Sequence, residues 1–236
     1  MPFMAAAVAL FVLPDAFVIR TERVSAEAPR VIDLALPLPA GATHFIGAPT
    51  KEQLGNDLSS GDLNGDGLPD LLVGAHWWTT GGRNIIGRAY GFFGRPTWPA
   101  TMDLAQAPQR DWTFTGRGLE ARLGNAVAVG DLSGDGTDDA VLGSLLADPL
   151  DPDDVSPPIS LLSNGGAVYI VFGGAKAGGN LDFLNSEPDV YIAGDSGPGG
   201  ADQLGTALAI GDLNADGQAD LVVAATLRGS FRGAVF

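Results

Sequence analysis

The chain has 236 residues, of which 45% are hydrophobic, so it can bury the core of one large domain or two modest ones. Its formal net charge of −15 would repel a phosphate backbone and an anionic membrane surface, which argues against nucleic acid as a partner. It contains no cysteine, so disulfides and thiolate metal sites are excluded.

The first 40 residues read as a separate N-terminal segment. The apolar run from Phe3 to Leu13 has roughly the length of a signal-peptide core, but no Lys or Arg precedes it, and it is too short to span a membrane. Ala26 and Ala28 could mark a cleavage site. Alternatively, residues 1–40 are the end of a preceding region, with "AFVIRTERV" as an extended strand. We place the main folded region at 41–236.

Internal repeats organise the rest of the chain. The stretch "GDLNGDGLPD" at 61–70 recurs as "GDLSGDGTDD" at 130–139 and as "GDLNADGQAD" at 211–220. Each copy follows a segment that begins with Leu-Gly and precedes a short apolar run, "LLVGA", "AVLGS" or "LVVAA". These runs are too short for helices, and their β-branched residues favour strands.

Two further extended segments complete each unit, which therefore contains four strands. The first unit is predicted at 54–61, 70–75, 88–93 and 112–116, and the second at 123–130, 139–143, 166–172 and 189–193. The repeats run over about 45–111, 112–188 and 189–236, and the third stops within a strand. The long connections at 146–160 and 174–188 are rich in Pro, Asp and Gly and are predicted to be loops.

The repeated acidic loop has the spacing of a calcium site. A hard cation such as Ca²⁺ takes six to eight oxygen ligands, and oxygens on alternate residues of a tight loop can converge on it. We therefore predict three Ca²⁺ sites, with ligands at positions one, three, five, seven (a backbone carbonyl) and nine of each loop. They are Asp62, Asn64, Asp66, Leu68 and Asp70; Asp131, Ser133, Asp135, Thr137 and Asp139; and Asp212, Asn214, Asp216, Gln218 and Asp220.

Other positions of the loop have structural roles. Glycine at position six permits the sharp turn. Ala215 at position four indicates that this position is less demanding, and the leucines at position two, Leu63, Leu132 and Leu213, are expected to anchor the loop in the core. The alternative is an Asp-Gly turn that needs no metal. An EF-hand would place its last ligand at position twelve and continue into a helix, and both features are missing here.

These motifs resemble FG-GAP repeats, the blades of the β-propeller in integrin α subunits and related bacterial surface proteins. The resemblance covers about 45–236, although the family's "GAP" is replaced by "GAH", "GSL" and "AAT". It implies an all-β fold of four-stranded antiparallel blades with Ca²⁺ in the acidic loops. The family has seven blades and this chain about two and a half, so we expect further blades from a longer chain or from other chains.

The resemblance also implies an adhesive or ligand-binding role, in an extracellular, cell-surface or periplasmic location. Such propellers also accompany catalytic domains, so an accessory part of a secreted hydrolase or lyase is the alternative. The chain itself is not expected to be an enzyme, because its two histidines, His44 and His76, lie in different repeats and no nucleophile motif is present.

A partner is expected on the face opposite the calcium loops. There the first unit places "GAHWWTTGGRN", and the second places an acidic insertion with Asp148, Asp151, Asp153 and Asp154. Adjacent tryptophans in a loop are costly to expose unless they pack or bind. His76, Trp77 and Trp78 are therefore predicted to contact a protein or glycan. In the alternative interpretation, one ring covers the edge of its own blade.

Overall fold

The computed structural model describes residues 9–13, 16–20, 41–48, 51–80, 84–105, 110–118, 120–147, 165–195, 202–228 and 232–236. In chain order the strands are β1 (Ala9–Leu13), β2 (Ala16–Arg20), β3 (Ala42–Ile46), β4 (Leu58–Gly61), β5 (Asp70–Ala75), β6 (Thr79–Thr80), β7 (Asn84–Ile85), β8 (Arg88–Phe92), β9 (Thr101–Asp103), β10 (Trp112–Thr115), β11 (Leu123–Gly130), β12 (Asp139–Ser144), β13 (Ala167–Val171), β14 (Gly179–Asp182), β15 (Val190–Ala193), β16 (Leu204–Gly211), β17 (Asp220–Ala225) and β18 (Ala234–Val235).

The predicted all-β fold of blade-like antiparallel sheets is confirmed. Strands β4, β5, β8 and β10 form the first sheet of the repeats in sequence order. Strands β11, β12, β13 and β15 form the second, and β16, β17 and β18 form the third. Repeats one and two keep the predicted strands to within a few residues. The main difference is that β4 starts at Leu58 rather than at residue 54, because the segment before it turns.

The connection at 174–188, which we predicted to be a loop, contains a strand. Strand β14 adds to the outer edge of the first sheet by pairing in parallel with β10, so that sheet has five strands. In the same way, β9 lies in the connection between β8 and β10 and pairs in parallel with β3. Each of these connections therefore reaches back to the neighbouring sheet. The sequence prediction missed both strands because each is only three or four residues long.

Part of the N-terminal segment belongs to the same architecture. Strands β1 and β2 form a hairpin, and β2 pairs antiparallel with β3. The small residues Ala26 and Ala28, like the acidic insertion with Asp148, Asp151, Asp153 and Asp154, lie outside the described residues. Within the described ranges, no helix combines the length and the apolar character that a membrane crossing needs.

The core lies between successive sheets, so the first sheet packs against the second and the second packs against the third. Phe114, Tyr169 and Phe183 are each no more than 1% exposed, and Phe183 stacks on Tyr169 with ring centroids 4.7 Å apart. Backbones also approach closely, because a Cβ added at Gly74 would lie 2.1 Å from the carbonyl oxygen of Gly124. Glycine is required at such a contact because no side chain fits there. Each sheet is therefore stabilised by packing against the neighbouring sheets and not by its own strands alone.

Candidate functional site

The first acidic loop joins β4 to β5 and is organised by its first carboxylate. Asp62 accepts hydrogen bonds from the backbone N–H groups of Gly65, Asp66 and Gly67 at 2.8–3.0 Å. Asn64 Oδ1 accepts a further bond from the Asp66 N–H at 2.9 Å. Short polar side chains that bind nearby backbone donors stabilise such turns. The Asp62 carboxylate thus holds the backbone of the loop folded around itself.

The second and third loops repeat this pattern. Asp131 accepts bonds from the N–H groups of Gly134, Asp135 and Gly136 at 2.7–3.1 Å. Asp212 accepts bonds from Asp216 and Gly217 at 3.1 and 2.9 Å. The three loops therefore have the same local fold.

Position four of the loop is more demanding than the sequence suggested. Gly65 and Gly134 have φ angles of 76° and 75°, and Ala215, their counterpart in the third loop, has a φ of 60°. All three lie in the left-handed region, where a Cβ costs about 1–2 kcal/mol. Our inference from Ala215 that position four is permissive is wrong, because the alanine adopts the glycine conformation and bears the strain.

The carboxylates at position nine fasten the loops to the sheet. Asp70 is 1% exposed; its Oδ2 accepts bonds from the N–H groups of Leu63 and Asn64, and its Oδ1 from Gly94 at the end of β8. Asp139 makes the equivalent bonds, including one from Gly173 at 3.0 Å. Burial raises the pKa of both carboxyl groups. The sequence prediction missed the role of these two glycines, which follow the third strand in "YGFFG" and "YIVFGG".

The next repeat holds the first loop in place. Asp138, at position eight of the second loop, accepts a bond from the Asp62 N–H at 2.7 Å and donates its own N–H to the Asp62 carbonyl at 2.9 Å. Leu63 is completely buried, as expected for an anchor. Leu213 of the third loop is 72% exposed, so the anchoring prediction is wrong there. Ala219 takes the place of Asp138 in the third loop, and a cleft of about 670 Å³ lies between the second and third loops.

The loops offer only oxygen donors, which is the chemistry that a hard cation requires. Within the described residues, no three carboxylate, imidazole or thiolate groups are arranged to hold a metal ion by themselves. A bound Ca²⁺ would therefore also use the amide or hydroxyl oxygen at position three, the backbone carbonyl at position seven and water. These oxygen donors are of the type that calcium prefers. The carboxylates of Asp70 and Asp139 already accept hydrogen bonds from backbone N–H groups.

The predicted contact cluster lies at the opposite end of β5 from the first acidic loop. The Arg88 guanidinium lies 3.4 Å from the centroid of the Trp78 ring, and that of Arg122 lies 5.0 Å from the centroid of Trp77. His76 meets Trp77 edge to face at 6.2 Å between centroids. All five residues are half-buried. The structure therefore brings His76, Trp77 and Trp78 together and adds two arginines, which cover the indoles and give the cluster positive charge.

His76 is held neutral in this cluster. Burial, reinforced by the Arg122 charge, lowers its pKa to about 4. Its Nδ1 is buried and has no hydrogen-bond partner within the described part of the chain. The imidazole therefore packs as an aromatic ring near neutral pH.

Comparison with known proteins identifies the repeats. A sequence profile described as "FG-GAP repeat" matches residues 54–92 and 204–236, which hold the first and third acidic loops. The chain contains FG-GAP repeats. The second FG-GAP copy, which the profile does not match, has the same strand order and loop hydrogen bonds as the other two.

The relatives of this FG-GAP chain fall into two groups. It is 33% identical over 182 residues to phosphatidylinositol-glycan-specific phospholipase D of Bos taurus, a match that covers 77% of this chain and 19% of the relative. It is 28% identical over 186 residues to integrin alpha-PS5 of Drosophila melanogaster and 30% over 189 residues to integrin alpha-5 of Xenopus laevis. These two matches cover 77% of this chain and 16% and 15% of the integrins. The chain thus spans less than a fifth of the length of the curated relatives it matches.

Proposed function

We propose that this FG-GAP chain is a calcium-binding module with an adhesive or ligand-binding role in an extracellular, cell-surface or periplasmic location. The observation that carries the proposal is the threefold repetition of one all-oxygen loop whose first carboxylate already organises the backbone around it. Bound Ca²⁺ would supply positive charge that offsets the crowded carboxylates of each loop. The similarity to integrin alpha chains supports the adhesive role.

Calcium should therefore stabilise the fold. A site with a Kd of about 10 µM in about 1 mM Ca²⁺ contributes about 2.7 kcal/mol. We expect excess chelator to lower the melting temperature sharply, and Asp66→Ala to remove one bound ion. Glu187→Ala is the matched control, because Glu187 is an exposed carboxylate outside the loops. A melt that is unchanged in chelator would refute the proposal.

The second loop should be the weakest of the three sites. Its position three is Ser133, and the serine hydroxyl reaches less far than the amides of Asn64 and Asn214. Calorimetry of Ser133→Asn should show a tighter second site. Equal affinities at all three sites of the wild-type chain would contradict this ranking.

The aromatic cluster is the proposed contact surface for a protein or glycan. Its support is the convergence of His76, Trp77 and Trp78 with two arginines on the face away from the acidic loops. Trp77→Ala combined with Trp78→Ala should abolish binding on glycan and peptide arrays and leave the calcium-dependent part of the melt intact. Trp98→Ala, which removes a tryptophan outside the cluster, is the control. Loss of the fold in the double variant would show that the tryptophans are core residues.

An accessory role beside a catalytic domain is the second candidate, favoured by the similarity to phosphatidylinositol-glycan-specific phospholipase D. In that case too, we propose that this chain performs no chemistry itself. The purified chain should then be inactive against phosphodiester and polysaccharide substrates. Turnover by the chain alone would overturn this part of the proposal.

A further inference from the structure

Two outer sheet edges are covered by short parallel strands in the same register. On β3, Phe45 lies opposite Met102, and Ile46 lies opposite Asp103 of β9. On β10, Phe114 lies opposite Leu181, and Thr115 lies opposite Asp182 of β14. Each covering strand thus places an apolar residue opposite a phenylalanine and an aspartate opposite the next residue.

The residues that follow the aspartates also match. The Leu104 N–H donates to the Ile46 carbonyl at 2.9 Å, and the Phe183 N–H donates to the Thr115 carbonyl at 3.0 Å. Each aspartate then accepts a bond from the residue two positions later, at 2.9 Å for Asp103 and 3.1 Å for Asp182. The aspartate therefore turns the chain after the strand. Both covering segments share the pattern apolar–Asp–apolar.

The second apolar residue of the pattern fills the space between repeats. Leu104 is 4% exposed and belongs to the same buried cluster as Phe45 and Tyr90. Phe183 is 1% exposed and lies between Phe114 and Tyr169, with ring centroids 6.4 and 4.7 Å away. Phe183 therefore contacts the first sheet through Phe114 and the second sheet through Tyr169.

Strand β15 of the second sheet is the counterpart of β10. "DVYIAG" at 189–194 aligns with "DWTFTG" at 111–116, and Asp189 and Asp111 bind the backbone N–H of Phe172 and Phe93 in the same way. Within the described residues, β15 is the last strand of its sheet, with no strand on its outer side.

Apolar side chains that are covered on the first sheet are exposed on the second. Val190 is 37% exposed, whereas its counterpart Trp112 is 2% exposed. Phe172 is 40% exposed, whereas its counterpart Phe93 is half-buried and packs edge to face on Trp112. An exposed edge with apolar neighbours is a template for strand addition.

We propose that the outer edge of β15 binds a parallel strand of the pattern apolar–Asp–apolar, of the kind that connects the third and fourth strands of the repeat directly after the covered sheet, as β14 does for β10. The first apolar residue lies opposite Ile192 and the aspartate opposite Ala193. The second apolar residue packs against Phe236, which occupies the place of Tyr169 in the third repeat and is 57% exposed. The pairing register and the pattern apolar–Asp–apolar are both taken from the two covered edges, β3 with β9 and β10 with β14.

The test uses this chain extended after Phe236 by a copy of residues 170–187, which contains the β14 pattern. Because the tether raises the effective concentration of the segment to about the millimolar range, hydrogen exchange at the β15 amides should slow by at least about tenfold. The matched control is the same extension with aspartate at the positions copied from Leu181 and Phe183, and it should give no protection.

A second measurement guards against misfolding of the extended chain. A labelled synthetic peptide of residues 174–187 should bind the unextended chain saturably. Ile192→Asp should weaken this binding at least about tenfold, the scale on which removal of one buried anchor acts, and Leu184→Asp, at a 67% exposed position outside the edge, should leave it unchanged.

Three results would overturn the proposal. One is failure of both the extension and the peptide to protect β15. Another is equal protection of β15 by the aspartate-substituted extension, which would show that binding does not require the two apolar residues of the pattern. The third is concentration-dependent protection of β15 in the unextended chain, which would make a second copy of the chain the occupant.

Discussion

In the first repeat, the leucine at position two of the acidic loop is fully buried, whereas in the third repeat its counterpart is 72% exposed. The internal hydrogen bonds of the two loops are nevertheless alike, since Asp62 and Asp212 both accept bonds from the N–H groups at positions five and six. The loop therefore folds from its own sequence, while its burial comes from the repeat that follows it.

The largest effect should come from the anchor leucines. Leu63→Ala removes a fully buried side chain next to the second repeat, so we expect a loss of about 2–5 kcal/mol in the free energy of unfolding. Leu213→Ala, at the exposed counterpart, should cost less than about 0.5 kcal/mol. Urea denaturation measures both, and similar losses would break the distinction between the two repeats.

Contacts between neighbouring backbones should give the next largest effect. An added Cβ at Gly74 would lie 2.1 Å from the Gly124 carbonyl oxygen, so Gly74→Ala should cost about 1–3 kcal/mol by overpacking. The equivalent position of the third repeat is naturally Ala224, and Ala224→Gly should cost only about 0.5–1 kcal/mol. Thermal melts of the pair provide the test, and a neutral Gly74→Ala would show that the repeats can separate at little cost.

The loop after the second strand should add a pH dependence to stability in the first repeat, where it begins with His76, and not in the other two, where it begins with Leu145 and Thr226. The pKa of folded His76 is lowered to about 4 from an ordinary value near 6.5, so the unfolded chain binds its proton first as the pH falls. The stabilisation is complete above about pH 6.5 and is lost as the pH falls towards about 4. His76→Thr introduces the third repeat's residue, Thr226, and should flatten the melting temperature between these values relative to the wild type. Parallel pH profiles of the two proteins would contradict the low pKa.

The smallest expected effect concerns position four of the loop. Ala215 occupies the left-handed conformation that Gly65 adopts in the first loop, at φ angles of 60° and 76°. Ala215→Gly should therefore relieve strain and stabilise the chain by up to about 1 kcal/mol, while Gly65→Ala should destabilise it by a similar amount. A destabilised Ala215→Gly variant would indicate that the added flexibility of glycine in the unfolded chain outweighs the relief of strain in the folded loop.

The repeated motifs were sufficient to predict the main strands of the first two repeats and the positions of the three acidic loops. The second strand of each repeat follows from the short apolar run directly after the acidic loop, which the structure reproduces in β5, β12 and β17. The inward turn at position six follows from a glycine that all three loops share, with φ angles of 82–90°. These features are local, so one repeat contains the information for each of them.

Features that depend on a second repeat were not predicted. Strand β14 has only four residues, and its pairing with β10 is apparent only once both sheets are in place. Asp138 stands at the position where the other loops have Pro69 and Ala219, so its bond to the Asp62 backbone has no repeated signature. The arginines over Trp77 and Trp78 come from β8 and from the segment before β11, which the sequence alone does not connect to the tryptophans.

The number of calcium ions bound per chain tests the three proposed metal sites directly. Equilibrium dialysis against about 1 mM Ca²⁺, followed by elemental analysis, should find about three ions per chain, because sites with a Kd of about 10 µM are nearly saturated there. Asp66→Ala should reduce the count by one, and Glu187→Ala should leave it unchanged. A wild-type chain that retains no calcium under these conditions would contradict the proposal that the three loops are metal sites.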